Sequence, residues 1–295
     1  MLTGVWNPQV HEQLVRLLDG PPGLAAFDFD NTLIFNDLGE AVMNYLVLQA
    51  LLAGDREEFW QGLSEEPVRP DIDRLRGWWN SYRDTEDESD YLRFADALLS
   101  TYDRTYHEVG LEAAYRWSRF IFAWQNAEEL KKISRHVLDD ELLQTPREEK
   151  LPSGYVVNRG IRIYAEVKQL MYALRERGWE LRVVTASPRE VIQAVIGDWG
   201  LQPEQVLGMQ LSRDSNGMLL PEILEPMPFQ AGKVELLAAA CDGRRPDLAI
   251  GDSSGDRDLL ASAGLGILFD RGYRELWAAL EKQGVLLQER PNISG

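Results

Sequence analysis

The sequence predicts an α/β fold: a parallel sheet with helices on both faces, interrupted by an inserted all-helical segment. Three observations predict it. After Pro152-Ser153-Gly154, short apolar runs alternate with helical periodicities. From about Leu33 to about Tyr155 the pattern is helical throughout. Three polar clusters, Asp28/Asp30, Thr185–Ser187 and Gly251–Asp256, each follow a strand-like run, the place where open parallel sheets bind ligands. The expected division is an α/β core of residues 1–33 and 156–295 with a helical insert, 34–155, hanging over the sheet edge as a lid. A length of 295 residues suits a core with one accessory domain.

Leu24–Phe27 reads as a buried strand entering from the Gly20-Pro21-Pro22-Gly23 turn. Asp37 and Glu40 have capping-box spacing ahead of a helix over Ala41–Leu52. Gly54, Pro67, Pro70 and Gly110 break the helical stretch, and Glu112–Leu143 reads as its longest helix. The stretch holds Trp60, Trp78, Trp79, Trp117 and Trp124, and the acidic run Asp84–Asp90 reads as a solvated loop or helix end. Beyond it, Ile163, Val167, Leu170 and Leu174 mark a helix ending at Gly178, and Leu181–Val184 is a strand. Ser187 and Pro188 are placed to start a helix over Arg189–Asp198. Val206–Leu211 and Met218–Ile223 flank Asp214-Ser215-Asn216-Gly217 as a hairpin. Val234–Ala240 is helical, Leu248–Ile250 and Gly266–Phe269 are strands, Arg274–Lys282 is a helix, and Glu289–Gly295 is a frayed tail.

A hydrophobic fraction of 44% and a charged fraction of 27% describe a folded chain with ample core. The net charge of −17 argues against nucleic acid or an anionic membrane as partner, but not against a small anion bound by a local cluster of donors. Cys241 is the only cysteine, so neither an intrachain disulfide nor a multi-cysteine metal site can form; beside Ala238–Ala240 it reads as a small core residue. The first residues lack the pattern of a secretory signal, and the longest apolar run, around Tyr45–Ala53, is too short for a bilayer. A cytoplasmic location is expected.

The chemistry concentrates in Phe27-Asp28-Phe29-Asp30-Asn31-Thr32. In an extended segment Asp28 and Asp30 point the same way. Two carboxylates at one mouth repel unless a cation or a shared proton relieves them, and Mg²⁺, an oxygen-seeking ion, is the natural cation. A capping role for Asp30 or Asn31 explains the pair equally well at this level. Asp252 is positioned to complete a metal site and Asp256 to orient it, although a glycine-rich loop capping the next helix reads the same way. Thr185, at a strand end, suits phosphate binding; Ser187 reads better as an ordinary N-cap. Lys233 opens a helix, where the macrodipole disfavours a cation, so an anionic partner is expected.

Taken in order, Asp-x-Asp-x-Thr, a strand ending in Thr185, the lone Lys233 and Gly-Asp-x-x-x-Asp resemble the haloacid dehalogenase superfamily of phosphohydrolases. The insert directly after the first motif, and the run Gly160–Pro188, look like the phosphoserine and phosphorylcholine phosphatase branch. The resemblance implies a Rossmann-like core with an inserted all-helical cap domain. It implies Asp28 as nucleophile and metal ligand, and Asp30 as general acid, then base, lending its carbonyl to Mg²⁺. Thr185 and Ala186 would seat phosphate beside Lys233. Asp252 and Asp256 would serve the metal, and Thr32 would brace the loop. One departure stands out: the second motif continues Ala186-Ser187 where phosphoserine phosphatases usually carry Gly-Gly.

The activity so implied is Mg²⁺-dependent hydrolysis of a small phosphomonoester through an aspartyl-phosphate. Asp37 and Glu40 lie where such phosphatases hold a substrate ammonium, although capping alone explains them. The aromatic residues of the insert offer a cage for a quaternary ammonium, but periodic aromatics more often simply pack. Phosphoserine, phosphocholine and phosphoethanolamine are the candidate substrates. A phosphotransferase or phosphomutase would use the same intermediate, and a catalytically retired binding protein would keep the fold without it.

Overall fold

The computed structural model describes residues 4–291 and 293. The chain divides into two compact units, one of Met1–Asp37, Ile161–Gln210 and Leu224–Gly295, the other of Leu38–Gly160 and Leu211–Ile223.

The first unit is α/β. Its strands belong to a seven-stranded sheet among the described residues: β1 (Leu24–Phe27), β2 (Glu180–Pro188), β3 (Val206–Arg213), β4 (Leu219–Leu224), β5 (Leu248–Gly251), β6 (Leu265–Asp270) and β7 (Leu286–Glu289), in the order β7-β6-β5-β1-β2-β3-β4. The last three residues of β3 and all of β4 except Leu224 fall in the second unit. β1 pairs in parallel with both β2 and β5, as β6 does with β5 and β7. The strands read as continuous apolar runs because helices cover both faces: Leu24, Ala26, Val184, Ala249 and Leu268 pack with Leu237 and Leu259 of the helices Ala231–Ala240 and Arg257–Ser262.

Register places the chemistry. Phe27 pairs with Val183 on one side and Ile250 on the other, so the chain emerges from the three central strands at one level. Asp28, Thr185 and Asp252 therefore share an edge. The Asp28 amide extends the ladder by one bond, to the Ile250 carbonyl at 2.9 Å. The chain then turns sharply: Leu33 N donates to Phe29 O at 2.8 Å, and Asn31 takes a left-handed φ of 55°.

Several elements differ from expectation. β7 reaches Glu289, within the segment read as a frayed tail; residues 292, 294 and 295 of that tail lie outside the described residues. An unanticipated amphipathic helix, Pro8–Asp19, buries Val10, Leu14 and Leu18. The helix after β2 runs only over Arg189–Gln193, followed by a 3₁₀ turn at Ile196–Trp199 that stops at left-handed Gly200. Ile34–Phe35 pairs antiparallel with Arg162–Ile163; two-residue strands leave no periodicity to detect.

The second unit is mainly helical: Leu38–Leu48, Glu57–Glu65, Ile72–Thr85, Glu88–Glu108, Leu111–Phe122 and Ala127–Leu143. The expected helix Glu112–Leu143 is two, because Trp124 sits at φ 61° and Asn126 caps the second by accepting from the Glu128 and Glu129 amides. The expectation of no strand here fails at the antiparallel pair Arg147–Lys150 and Val156–Arg159. Its first strand, Arg-Glu-Glu-Lys, has no apolar alternation and is recognisable only by its partner. Trp60, Trp79 and Trp117 are core. The Trp60 indole donates to the Gly54 carbonyl, and Trp79 packs on Phe94 with ring centroids 5.3 Å apart. Packing, rather than a cage, accounts for these three. The acidic run is exposed, and its Asp87 caps Glu88–Glu108 through the Ser89 amide.

Trp199 is fully buried and meets Phe29 edge-on at 5.1 Å, pinning the residue between Asp28 and Asp30. Trp199→Ala is expected to lower stability by about 3–5 kcal/mol, read as a lower urea midpoint with unchanged slope.

Candidate active site

Asp28, Asp30, Thr185, Lys233, Asp252 and Asp256 all belong to the α/β unit and are all at least nine-tenths buried. Charges so removed from water must answer one another. Lys233 does most of this: its Nζ donates to Asp28 Oδ1 and to Asp256 Oδ1, each at 2.6 Å. The expectation of an anionic partner for Lys233 thus finds two. Its carrier, Ala231–Ala240, starts at Gln230, whose backbone (φ 47°, ψ −117°) is rare for a residue with a side chain. The Gln230 amide is held by the Gly255 carbonyl at 2.7 Å, which ties the start of the lysine helix to the acidic loop.

Asp256 organises that loop. Its Oδ2 accepts from the Asp252 amide (3.2 Å), the Ser253 amide (3.0 Å) and the Ser253 hydroxyl (3.0 Å). A Cβ on Gly251 would lie 2.5 Å from Asp256 Cγ, so the glycine at the end of β5 is what lets Asp256 close in. Asp252 Oδ2 accepts from Arg271 Nη1 at 2.7 Å. Arg271 escaped the sequence reading, yet it directly follows β6 at a strand's C-terminal end, the same rule that exposed the others. The Thr32 hydroxyl makes a long contact to Asp28 Oδ2, 3.4 Å.

Ser187 corrects the sequence reading outright. No side chain caps the helix after β2, whose N-cap position is Pro188. Instead the Ser187 hydroxyl donates to Asp30 Oδ2 at 2.6 Å, and the Ser187 amide donates to Thr185 Oγ1 at 3.1 Å. Ala186 lies between the two, buried. Asp37 is half-buried ahead of the helix Leu38–Leu48, and Glu40 accepts from the Tyr102 hydroxyl at 2.9 Å within the helical unit.

The electrostatics follow from burial and crowding. Burial raises the Asp28 carboxyl well above its ordinary range; Lys233 pulls it down, while Asp256, Asp252 and Asp30 push it further up. Asp252 is raised to about 6, by burial first and Asp256 next, against Arg271 and Lys233. Burial would lower Lys233, but Asp256 and Asp28 hold it above an ordinary lysine. One carboxylate oxygen from each of Asp28, Asp252 and Asp256 lies within 4.8 Å of the others. That is an all-oxygen donor set suited to a hard cation. Lys233 and Arg271 offset only two of its three charges, so a divalent ion fits the residues present.

A proton retained on Asp252 in the fold but not in the unfolded chain stabilises the fold below the ordinary carboxylate pKa. That stability is lost as pH rises through about 6. With divalent ions chelated, wild-type stability should therefore fall by roughly 2–3 kcal/mol between pH 4 and pH 6 relative to Asp252→Asn, measured by urea denaturation across that range.

Comparisons with known proteins come to the same core. Residues 145–261 match the model of the haloacid dehalogenase-like hydrolases. A solved structure of a conserved protein of unknown function from Anaerococcus prevotii is 21% identical, covering 94% of this chain and 90% of that one, with a TM-score of 0.74. A Bordetella pertussis protein of unknown function is 18% identical over 91% of this chain and 98% of that one (TM-score 0.58). A phosphoserine phosphohydrolase-like protein from Francisella tularensis is 15% identical over 91% and 95% (TM-score 0.50). No curated protein matches in sequence. At such identities the structures speak for the fold, and the match to the haloacid dehalogenase-like hydrolases falls on the segment that carries Thr185, Lys233, Asp252 and Asp256.

Proposed function

We propose that this protein is a phosphatase that hydrolyses a small phosphomonoester through a phosphoryl group carried on Asp28. The observation that carries the reading is Asp28 itself: a buried carboxylate at the end of the central strand, bonded to a buried lysine and grouped with two further carboxylates.

In the first step an Asp28 oxygen forms a bond to phosphorus, and the bond from phosphorus to the ester oxygen breaks, its electron pair leaving with that oxygen. Asp30 gives its proton to the departing alkoxide. In the second step water attacks phosphorus and passes a proton to Asp30. The bond from phosphorus to Asp28 breaks, releasing phosphate and restoring the carboxylate. Lys233 lies against Asp28 and would face the charge that builds on the phosphoryl oxygens. The Thr185 hydroxyl, accepting from the Ser187 amide, is a donor at the same edge. Asp28, Asp252, Asp256 and the Asp30 carbonyl would hold Mg²⁺, which when bound supplies further screening of phosphoryl charge.

The finer reading concerns the leaving group. Asp37 and Glu40 are assigned, on the family resemblance, to an amino-alcohol phosphate such as phosphoserine, phosphocholine or phosphoethanolamine, with the inserted helical domain choosing among them.

The test is phosphate release from a panel of phosphomonoesters. Wild type with Mg²⁺ should release phosphate from one or a few members, EDTA should stop it, and Asp28→Asn should lower kcat by at least about 10³-fold. Release that survives Asp28→Asn would sink the mechanism. A preference for sugar phosphates would remove the amino-alcohol assignment and leave the chemistry standing.

A further inference from the structure

Asp30 has a precise task under the phosphatase reading, and its backbone is well fixed: Phe29 before it is locked against Trp199, and Asn31 after it is held at φ 55° by a bond from its amide to the Asn36 carbonyl at 3.0 Å. A fixed backbone does not orient a carboxyl. The terminal torsion of an aspartate is broad, with no deep wells of its own, so the plane of the group is set by whatever bonds it. Ser187 supplies such a bond, 2.6 Å to Oδ2 between two buried residues 157 positions apart.

The contact is built, not incidental. Between Val184 and Pro188 the pairing of β2 with β3 shifts register: Val184 faces Leu207 and Pro188 faces Met209. Extra residues on one strand form a bulge, and bulges re-aim side chains. The neighbouring strand leaves room for it with Gly208, where a Cβ would lie 2.7 Å from Arg189 Cα and 2.9 Å from the Ser187 carbonyl oxygen. Within the bulge, the Ser187 amide bonds the Thr185 hydroxyl oxygen. One residue thus links the threonine assigned to phosphate with the carboxyl assigned to the proton. A serine needing only to bury its hydroxyl could bond a nearby backbone carbonyl, as Ser118, Ser134 and Ser262 do.

We propose that Ser187 is a positioning residue for Asp30, holding the carboxyl plane at which the proton passes to the leaving oxygen. The proposal rests on the phosphatase reading. It locates the effect in one bond event: as the bond from phosphorus to the ester oxygen breaks, the proton moves from Asp30 to that oxygen. The hydroxyl of Ser187 stays bonded to the other end of the same carboxyl. An ester whose leaving group is already a stable anion needs no such proton.

The experiment compares kcat/KM of wild type and Ser187→Ala over phosphomonoesters from p-nitrophenyl phosphate to simple alkyl phosphates. Ser187→Ala should lose about 10- to 100-fold on alkyl esters, a share of what a positioned acid contributes, and less than about 3-fold on p-nitrophenyl phosphate. Inhibition by inorganic phosphate should stay within about 2-fold, since the phosphate seat is not what changes. Equal losses on both ester classes, or none on either, would overturn the proposal while leaving the phosphatase reading intact. A wild type inactive on every ester would overturn that reading and the proposal with it. Circular dichroism and a urea midpoint establish that the variant is folded; Ser187→Cys, close in volume but a weaker donor, should fall between wild type and alanine on the alkyl esters, and matching wild type there would count against the hydroxyl's role.

Discussion

The site depends on a single buried cation. Three carboxylates, Asp28, Asp252 and Asp256, cannot share a dry sheet edge unless something offsets them, and Lys233 bonds two of the three. Removing one partner from such a buried set typically costs several kcal/mol, because it strands the others. Much of the surrounding structure can be understood as holding that lysine in place. The helix Ala231–Ala240 sets it in a first turn, where its own dipole opposes it. The unusual backbone of Gln230 and its bond to Gly255 fix where that helix begins. Gly251 admits Asp256 to within reach. Each feature is a local cost that only the charge cluster explains.

The second dependence is on register. Asp28, Thr185 and Asp252 come from distant parts of the sequence, and the parallel pairing of β1 with β2 and β5 brings them level. The central strand has four residues, all buried. A slip of one position would turn Asp28 to the opposite face of the sheet. Apolar Phe27 and Phe29, both fully buried on either side of Asp28, make such a slip expensive.

What could be read beforehand sorts by its physical signal. The central strands and the acidic ends were legible because short apolar runs bounded by turn residues are strong local signals, and because a strand end is a known address for ligands. Lys233 was legible through a conflict, a cation where a helix dislikes one. The ribbon Ile34–Phe35 with Arg162–Ile163, the strand Arg147–Lys150 and the break at Trp124 were not, since each is settled by a partner far away in sequence or by a single backbone angle. Arg271 and Ser187 were missed for a related reason. Ser187-Pro188 is an ordinary helix-start dipeptide, and only the bulge in β2 tells the serine to face Asp30 instead.

The small ribbon of Ile34–Phe35 and Arg162–Ile163 has a consequence for how this chain can be built and rebuilt. It clips together the points at which residues 38–160 leave the α/β unit and return to it. For the α/β unit, everything between those points is one closed loop, and the entropy of closing a loop grows only with the logarithm of its length. An insert of well over a hundred residues therefore burdens the unit little more than a short turn would. Chain entropy thus sets little limit on the length of the segment between the clipped ends, while the carboxylates at the strand ends stay where the sheet puts them.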